Sequence, residues 1–209
     1  MDRFGRSATN VIAVITAIAW VVAVVTGNAE RAALVMGFIP ARLSGVAVPW
    51  PAVPTLLTPL TATLVHSGLI HLGFNLLVFL WCGAAVERVI GKTGLILLYL
   101  IGAYAAAFAQ WGIDPSGTVP MIGASGAISA VMGAFALSFG RAKAFTNNLR
   151  INRWINVVWL LMAWVVLQVM MDWLAGGQGY ALATPAHVGG FAAGLLLQRP
   201  LLLWRYRKA

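Results

Sequence analysis

The sequence predicts an all-α fold: a polytopic membrane protein in which six transmembrane helices form a bundle with a membrane-associated first loop. Hydrophobic residues make up 61% of the 209 residues, charged residues make up only 9%, and the mean hydropathy is +0.88. Soluble domains carry about 25% charged residues. A helix needs about 20 mostly apolar residues to cross a bilayer, and six segments qualify: 8–27, 68–90, 93–111, 121–140, 154–174 and 184–204. We therefore expect a single membrane domain over residues 1–209.

The first apolar segment has two possible interpretations. It follows Arg3 and Arg6, as the core of a signal peptide does, but the run from Val11 to Thr26 is long for such a core. We favour an uncleaved first transmembrane helix over a signal peptide.

The stretch 33–60 is apolar but is predicted not to span the membrane. It contains Arg42 and five prolines, among them Pro40, Pro51, Pro54 and Pro59, which disfavour a continuous helix. We expect an ordered loop at or partly in the membrane interface, with its backbone covered by protein. Trp50 suits an interfacial anchor.

The basic residues predict the orientation of the chain. When six helices are threaded, 12 of the 14 Lys and Arg residues fall on one side, which predicts cytoplasmic N- and C-termini. Topology and anionic lipid headgroups account for the net charge of +9, so no nucleic-acid partner is expected. The 12 residues are Arg3, Arg6, Arg88, Lys92, Arg141, Lys143, Arg150, Arg153, Arg199, Arg205, Arg207 and Lys208.

Four polar residues are predicted to meet in one layer below the outer surface. In this threading the second, fourth and sixth helices run inwards, and each has polar residues near its start. His71 and Asn75 share one face of the second helix, since they are four residues apart. Ser125 lies about five residues into the fourth helix, roughly 8 Å deep, and His187 lies a few residues into the sixth. Polar residues inside a membrane are costly and indicate function.

This set of residues predicts hydrolysis inside the membrane. A serine hydroxyl is a weak nucleophile that needs a base, and neutral histidine is the usual one. The oxyanion that forms needs fixed donors, which amides at a helix N-terminus and side chains such as His71 and Asn75 can supply. Gly123 and Gly126 leave the backbone beside Ser125 open to a substrate. The pattern differs from the G-x-S-x-G turn of soluble hydrolases, since position 127 is alanine.

Other polar and small residues allow simpler interpretations. His66 could be a proton relay, make an inter-helix bond or anchor a substrate loop. Asp172 could orient a histidine but is more simply an interfacial residue at the end of the fifth helix. Gly190-xxx-Gly194 is a small-xxx-small pattern for helix packing, and Cys82 suits a small core residue. Three histidines without clustered Cys, Asp or Glu predict no metal site, and no cofactor is expected.

Four motifs in order resemble the rhomboid family of intramembrane serine proteases, over about residues 60–198. They are His66-xxxx-His71-xxx-Asn75, then Gly83-Ala84-Ala85-Val86-Glu87-Arg88-xx-Gly91, then Gly123-x-Ser125-Gly126, and finally Ala186-His187-xx-Gly190-xxx-Gly194.

The resemblance implies a role for each site residue. Ser125 would be the nucleophile and His187 the base of a dyad without a third acid. His71, Asn75 and the Ser125 backbone N–H would form the oxyanion hole. The supporting residues would be Gly123, Gly126, Gly190 and His66. Glu87 would be a structural residue at the cytoplasmic end of the second helix, and the stretch 33–60 would be a half-embedded first loop.

The chain departs from the family pattern at two places. Family members often carry a Trp-Arg pair in the first loop where this chain has Leu57 and Thr58. Many also carry an aromatic residue four positions after the serine, stacked on the histidine, where this chain has Ser129. We expect His187 to be held less firmly or by another ring, with modest turnover.

The leading functional hypothesis is an endopeptidase that cleaves transmembrane or juxtamembrane segments of single-pass or other membrane proteins. A rhomboid-like protein of weak or no activity that binds or chaperones membrane clients is the alternative. A transporter is disfavoured because the five acidic residues fall near helix ends or in loops. We expect the bacterial plasma membrane, from the compact six-helix form without an organelle-targeting extension, with the site opening to the extracytoplasmic side.

Overall fold

Long α-helices dominate the computed structural model, which describes residues 7–139, 145–174 and 183–207. The predicted all-α class and the polytopic bundle are confirmed. By length and hydropathy, Ala8–Val25, Leu69–Ile113 and Leu149–Met170 can each cross a bilayer, among the residues described. The helices are α1 (Ala8–Val25), α2 (Ala29–Met36), α3 (Pro40–Leu43), α4 (Thr58–Thr61), α5 (Leu69–Val78), α6 (Ala84–Ile113), α7 (Ser125–Phe139), α8 (Leu149–Leu174) and α9 (Thr184–Arg205).

Gly91 divides the helical run 69–113 into the two predicted spans. A π-helical turn, Phe79–Gly83, joins α5 to α6, and Gly91 leaves the helix with φ 79° and ψ 169°. The run then folds back on itself: the ring of Phe79 before Gly91 and the ring of Tyr99 after it have centroids only 5.4 Å apart. In a straight helix these residues would be roughly 30 Å apart.

Glu87 ties the start of α1 to the bundle. Its carboxylate accepts hydrogen bonds from the backbone N–H groups of Ala8 and Thr9 at 2.9 Å. It also accepts from the hydroxyls of Ser7 at 2.9 Å and Thr9 at 2.7 Å. A carboxylate at this place satisfies amides that have no partner inside the helix. This is the structural position expected for Glu87, and it makes α1 an integrated part of the fold.

The proline-containing stretch is ordered, as predicted, but it contains more helix than the predicted loop. Short helices α2, α3 and α4 and the 3₁₀ turns 55–57 and 62–64 lie in or beside it. The Arg42 guanidinium donates to the Val53 carbonyl at 2.9 Å, and the Trp50 indole donates to the Leu34 carbonyl at 3.2 Å. These local bonds link separate parts of the segment to one another.

The start of the fourth long helix differs from the prediction. The sequence predicts helix from the beginning of segment 121–140, with Ser125 about five residues in, but α7 begins at Ser125 itself. Met121 instead exchanges two backbone hydrogen bonds with Phe38, at 2.8 and 3.0 Å. The first loop therefore holds Met121 outside the helix, and Ser125 opens the helix. Residue 140 lies outside the described residues.

Candidate active site

Ser125 and His187 meet at the N-terminal ends of two helices. The Ser125 Oγ lies 2.8 Å from the His187 Nε2, within hydrogen-bond distance. Both residues are buried, with 8% and 5% of their surfaces exposed. Ser125 is the first residue of α7, and His187 lies in the first turn of α9, where Pro185 suits a helix start. The two residues singled out by the sequence are thus in direct contact.

Small residues allow α7 and α9 to approach this closely. A methyl group added to Gly190 would lie 2.2 Å from the Gly126 carbonyl oxygen. At Gly194 it would lie 2.0 Å from the carbonyl oxygen of Ala130. No side chain fits at either place without moving a backbone, so Gly190 and Gly194 allow the close approach that brings His187 to Ser125. Gly126 contributes its carbonyl to this contact, while a methyl group on Gly126 would lie 2.6 Å from the Ala106 Cβ instead.

The backbone before Ser125 is held in a turn that requires glycine. Gly123 has φ +107°, a region that L side chains rarely adopt. Its N–H donates to the Ala62 carbonyl at 2.9 Å, and the Ala124 N–H donates to His66 Nε2 at 3.4 Å. His66 is therefore a contact of the turn.

His71 and Asn75 face this same turn from α5. A methyl group at Gly123 would lie 2.6 Å from His71 Nε2 and 3.9 Å from Asn75 Nδ2. The other ring nitrogen of His71, Nδ1, lies 3.1 Å from the Ser67 hydroxyl. Asn75 is fully buried, and its Nδ2 donates to the His71 carbonyl at 3.0 Å. The structure therefore brings all four predicted polar residues to one place.

His66 supports the His71 ring as well as the turn. The two imidazole rings lie edge to face, with centroids 4.9 Å apart and planes at 64°. A contact of this kind restrains both rings. His71 is thereby fixed from two sides, by His66 and by Ser67.

Trp164 on α8 is the aromatic ring beside His187. Its centroid lies 6.4 Å from that of His187, with the planes at 75°. The Trp164 Nε1–H donates to Ser129 Oγ at 2.7 Å, and Ser129 Oγ donates to the Ser125 carbonyl at 2.7 Å. Sequence reasoning missed Trp164; the available signal was an indole N–H in an apolar helix, which needs a partner when buried.

Asp172, the acidic residue that could orient a histidine, has a side chain that the structure does not describe. It belongs to the last turns of α8. Among the described residues, His187 Nδ1 has no hydrogen-bond partner. The favoured interpretation of Asp172, an interfacial residue at the end of the fifth helix, therefore stays a prediction.

A small cavity adjoins the nucleophile. Its volume is about 20 Å³, and Met121, Ser125, Gly126, Ala106 and Ala183 are among its lining residues. A space of this size accommodates about one water molecule. The space beside Ser125 is therefore large enough for one water molecule, and most of its walls are apolar.

Comparisons with known proteins identify the family of this chain. The family model described as the Rhomboid domain matches residues 54–204. The chain is 31% identical to the rhomboid protease GlpG of Yersinia pestis over 137 residues, which are 64% of this chain and 44% of that protein. It is 30% identical to RHOMBOID-like protein 4 of Arabidopsis thaliana over 150 residues, or 69% of this chain and 34% of that protein.

A fungal relative extends the comparison. Rhomboid-type serine protease 2 of Emericella nidulans is 30% identical over 138 residues, which cover 64% of this chain and 24% of that protein. The chain thus spans less than half the length of each of these curated relatives.

Proposed function

Because the chain belongs to the rhomboid family, we propose that it is an intramembrane serine endopeptidase with a Ser125–His187 dyad. The observation that carries the proposal is the buried 2.8 Å contact between Ser125 Oγ and His187 Nε2. Contact with a histidine base is what turns a serine hydroxyl into an effective nucleophile. Two curated relatives are themselves named proteases.

The proposed reaction proceeds through an acyl-enzyme. His187 Nε2 takes the proton from Ser125 Oγ as that oxygen bonds to the scissile carbonyl carbon, and the carbonyl oxygen becomes an oxyanion. His187 then protonates the leaving nitrogen as the C–N bond breaks. Water next attacks the ester, giving its proton to His187. The Ser125–carbon bond finally breaks, and Ser125 regains a proton from His187.

His71, Asn75 and the N-terminal amide of α7 are the proposed oxyanion donors. When the Ser67 hydroxyl donates to His71 Nδ1, the proton of the neutral ring is on Nε2, which faces Gly123. Asn75 Nδ2 uses one of its two hydrogens for the His71 carbonyl. The amides in the first turn of α7 have no acceptor within the helix, and the helix dipole favours negative charge there.

The proposed substrates are single-pass or other membrane proteins, cut within or beside a transmembrane segment. A carbonyl in a regular helix is already hydrogen-bonded, so the substrate has to unwind locally before Ser125 can reach it. Small, helix-breaking residues should therefore mark the cleavage site.

We propose the same orientation in the membrane as the charges predict, in a bacterial plasma membrane. The start of α1 and the end of α9 lie at one end of the bundle, since Glu87 binds α1 while Arg205 donates to the Arg88 carbonyl. Ser125 and His187 begin their helices. With both termini cytoplasmic, the site would open to the extracytoplasmic side.

We also propose that residues 1–209 form one membrane domain. The family match begins at residue 54, but the bonds from Glu87 to Ala8 and Thr9 attach α1 to the matched part. The first loop is likewise attached through the bridge between Phe38 and Met121. Both features support one unit rather than a separate N-terminal module.

Cleavage in proteoliposomes tests the proposal. The substrate is a single-pass protein with a helix-breaking outer juxtamembrane segment. Wild type is compared with Ser125→Ala, His187→Ala and the control Ser138→Ala. Ser138 lies elsewhere on α7, and its hydroxyl accepts a hydrogen bond from the Gln198 amide at 3.1 Å. We expect cleavage by wild type and the control only.

Two other outcomes would count against the proposal. Equal cleavage by all four proteins would indicate a contaminating protease and remove the basis for the dyad. No cleavage by folded wild-type protein, together with retention of the intact substrate, would favour the alternative of a client-binding protein.

A further inference from the structure

Many rhomboid family members carry an aromatic residue four positions after the serine. In this chain, Ser129 and Trp164 together take its place. Ser129 occupies that position, is fully buried, and is too small to contact the imidazole as a ring would. Trp164 from α8 fills the space instead, with 1% of its surface exposed and its ring edge to face with His187. The ring beside the histidine therefore comes from a different helix.

Two hydrogen bonds connect the Trp164 ring to the first turn of α7, which carries Ser125. The Trp164 indole donates to Ser129, and Ser129 donates to the carbonyl of Ser125, both at 2.7 Å. An indole N–H has one direction, so the bond to Ser129 sets the rotation of the ring. Phe74 stacks on the same indole, with centroids 5.9 Å apart and planes at 17°.

We propose that Ser129 and Trp164 together position His187 for the proposed reaction. The Ser129 hydroxyl orients the Trp164 ring, and the ring holds the imidazole with its Nε2 directed at Ser125. No hydrogen-bond partner of His187 Nδ1 lies among the described residues, so within that part of the chain the imidazole is hydrogen-bonded only to Ser125, and Trp164 is the ring packed beside it. Trp164 and Ser129 are positioning residues, since neither contacts the reacting atoms.

This inference rests on the proposed function, and it predicts a particular kinetic signature. Misorienting a base lowers the rate of the chemical step without weakening substrate binding. Removing the bond from either end, in Ser129→Ala or Trp164→Phe, should lower kcat by about tenfold and change KM by less than about twofold. Because both variants remove the same bond, the double variant should be no slower than the slower single one.

A small reagent separates positioning from substrate entry. A fluorophosphonate acylates an activated serine and does not require a transmembrane helix to enter the site. If Ser129 and Trp164 position His187, the labelling rate of Ser125 falls by the same factor as kcat in both variants. If they control only substrate entry, cleavage changes while labelling stays at the wild-type rate, and the proposal is overturned.

Two matched controls and a fold measurement complete the design. Ser138→Ala removes another α7 hydroxyl, and Trp159→Phe alters a tryptophan of α8 that is 63% exposed. Both should match wild type. Thermal unfolding in detergent establishes which variants are folded; if Trp164→Phe is unfolded, Ser129→Ala alone decides the question.

The remaining outcomes are equally decisive. Wild-type kcat in folded Ser129→Ala would overturn the inference, as would a double variant about a hundredfold slower than wild type, which would mean independent effects. Wild-type protein that neither cleaves substrate nor labels at Ser125 would instead defeat the proposed function.

Discussion

Gly190 of α9 lies directly against the carbonyl of Gly126 in α7, where an added methyl group would come within 2.2 Å of the oxygen. Ser125 and His187 lie one and three residues away along these helices, and their contact is 2.8 Å long. The separation of the two helices thus sets the distance of the proposed proton transfer.

Gly190→Ala should therefore reduce both stability and activity. The methyl group would have to push two backbones apart, which costs about 1–3 kcal/mol of unfolding free energy, and the dyad contact would lengthen. Thermal unfolding and cleavage rates measure the two effects. The control is Gly73→Ala on α5, where nothing lies within 4 Å of the added methyl group; equal behaviour of the two variants would contradict this account.

Gly91→Ala should destabilise the hairpin between the second and third spans. The added carbon has room, with the Arg205 side chain at 3.6 Å, but φ is +79°. With ψ at 169°, this region is essentially restricted to glycine, and an L residue there costs about 1–3 kcal/mol. Gly112→Ala is the control, since it is helical with open space around it. If both variants unfold at the same temperature, Gly91 is not required for the turn.

Glu87→Gln should loosen the start of α1. The substitution keeps the shape of the side chain but removes its charge and one of its acceptor oxygens, so some of the four hydrogen bonds from Ser7, Ala8 and Thr9 are lost. The expected loss is about 1–2 kcal/mol of unfolding free energy. Lys92→Gln, at an exposed position nearby, should have no effect. Faster proteolysis near residue 7 in Glu87→Gln alone would locate the change.

Asn75→Ala should slow the chemical step. Losing one donor from an oxyanion site typically lowers kcat by about 10²–10³. KM should change little, because the oxyanion exists only after attack. Steady-state cleavage in proteoliposomes measures both constants. A variant with wild-type kcat, or one that changes only KM, would remove Asn75 from the proposed donors.

The convergence of the polar residues could be predicted because it depends on local sequence and threading. Each of His71, Ser125 and His187 stands near the start of an apolar segment, and alternating helix directions bring those starts to one side. The start of α7 was predicted too early because Met121 pairs with Phe38, a residue of the first loop. Because Phe38 and Met121 are far apart in the sequence, their pairing cannot be predicted from the hydropathy of residues 121–124.

The surroundings of His187 could be predicted only in part. Ser129 indicated that the usual ring was missing, but its replacement depends on the rotation of α8 about its own axis. Hydropathy gives little help there, because α8 is apolar over much of its length. Likewise, the bond from Arg42 to Val53 depends on how the prolines bend the first loop.

Covalent labelling of Ser125 tests the central claim most directly. Wild type and His187→Ala in proteoliposomes are treated with a fluorophosphonate, and the modified residue is identified by peptide mass spectrometry. The account predicts one adduct, on Ser125, in wild type, and essentially none in folded His187→Ala. Labelling of Ser125 at the same rate in both proteins, or an adduct on a different serine, would contradict the dyad.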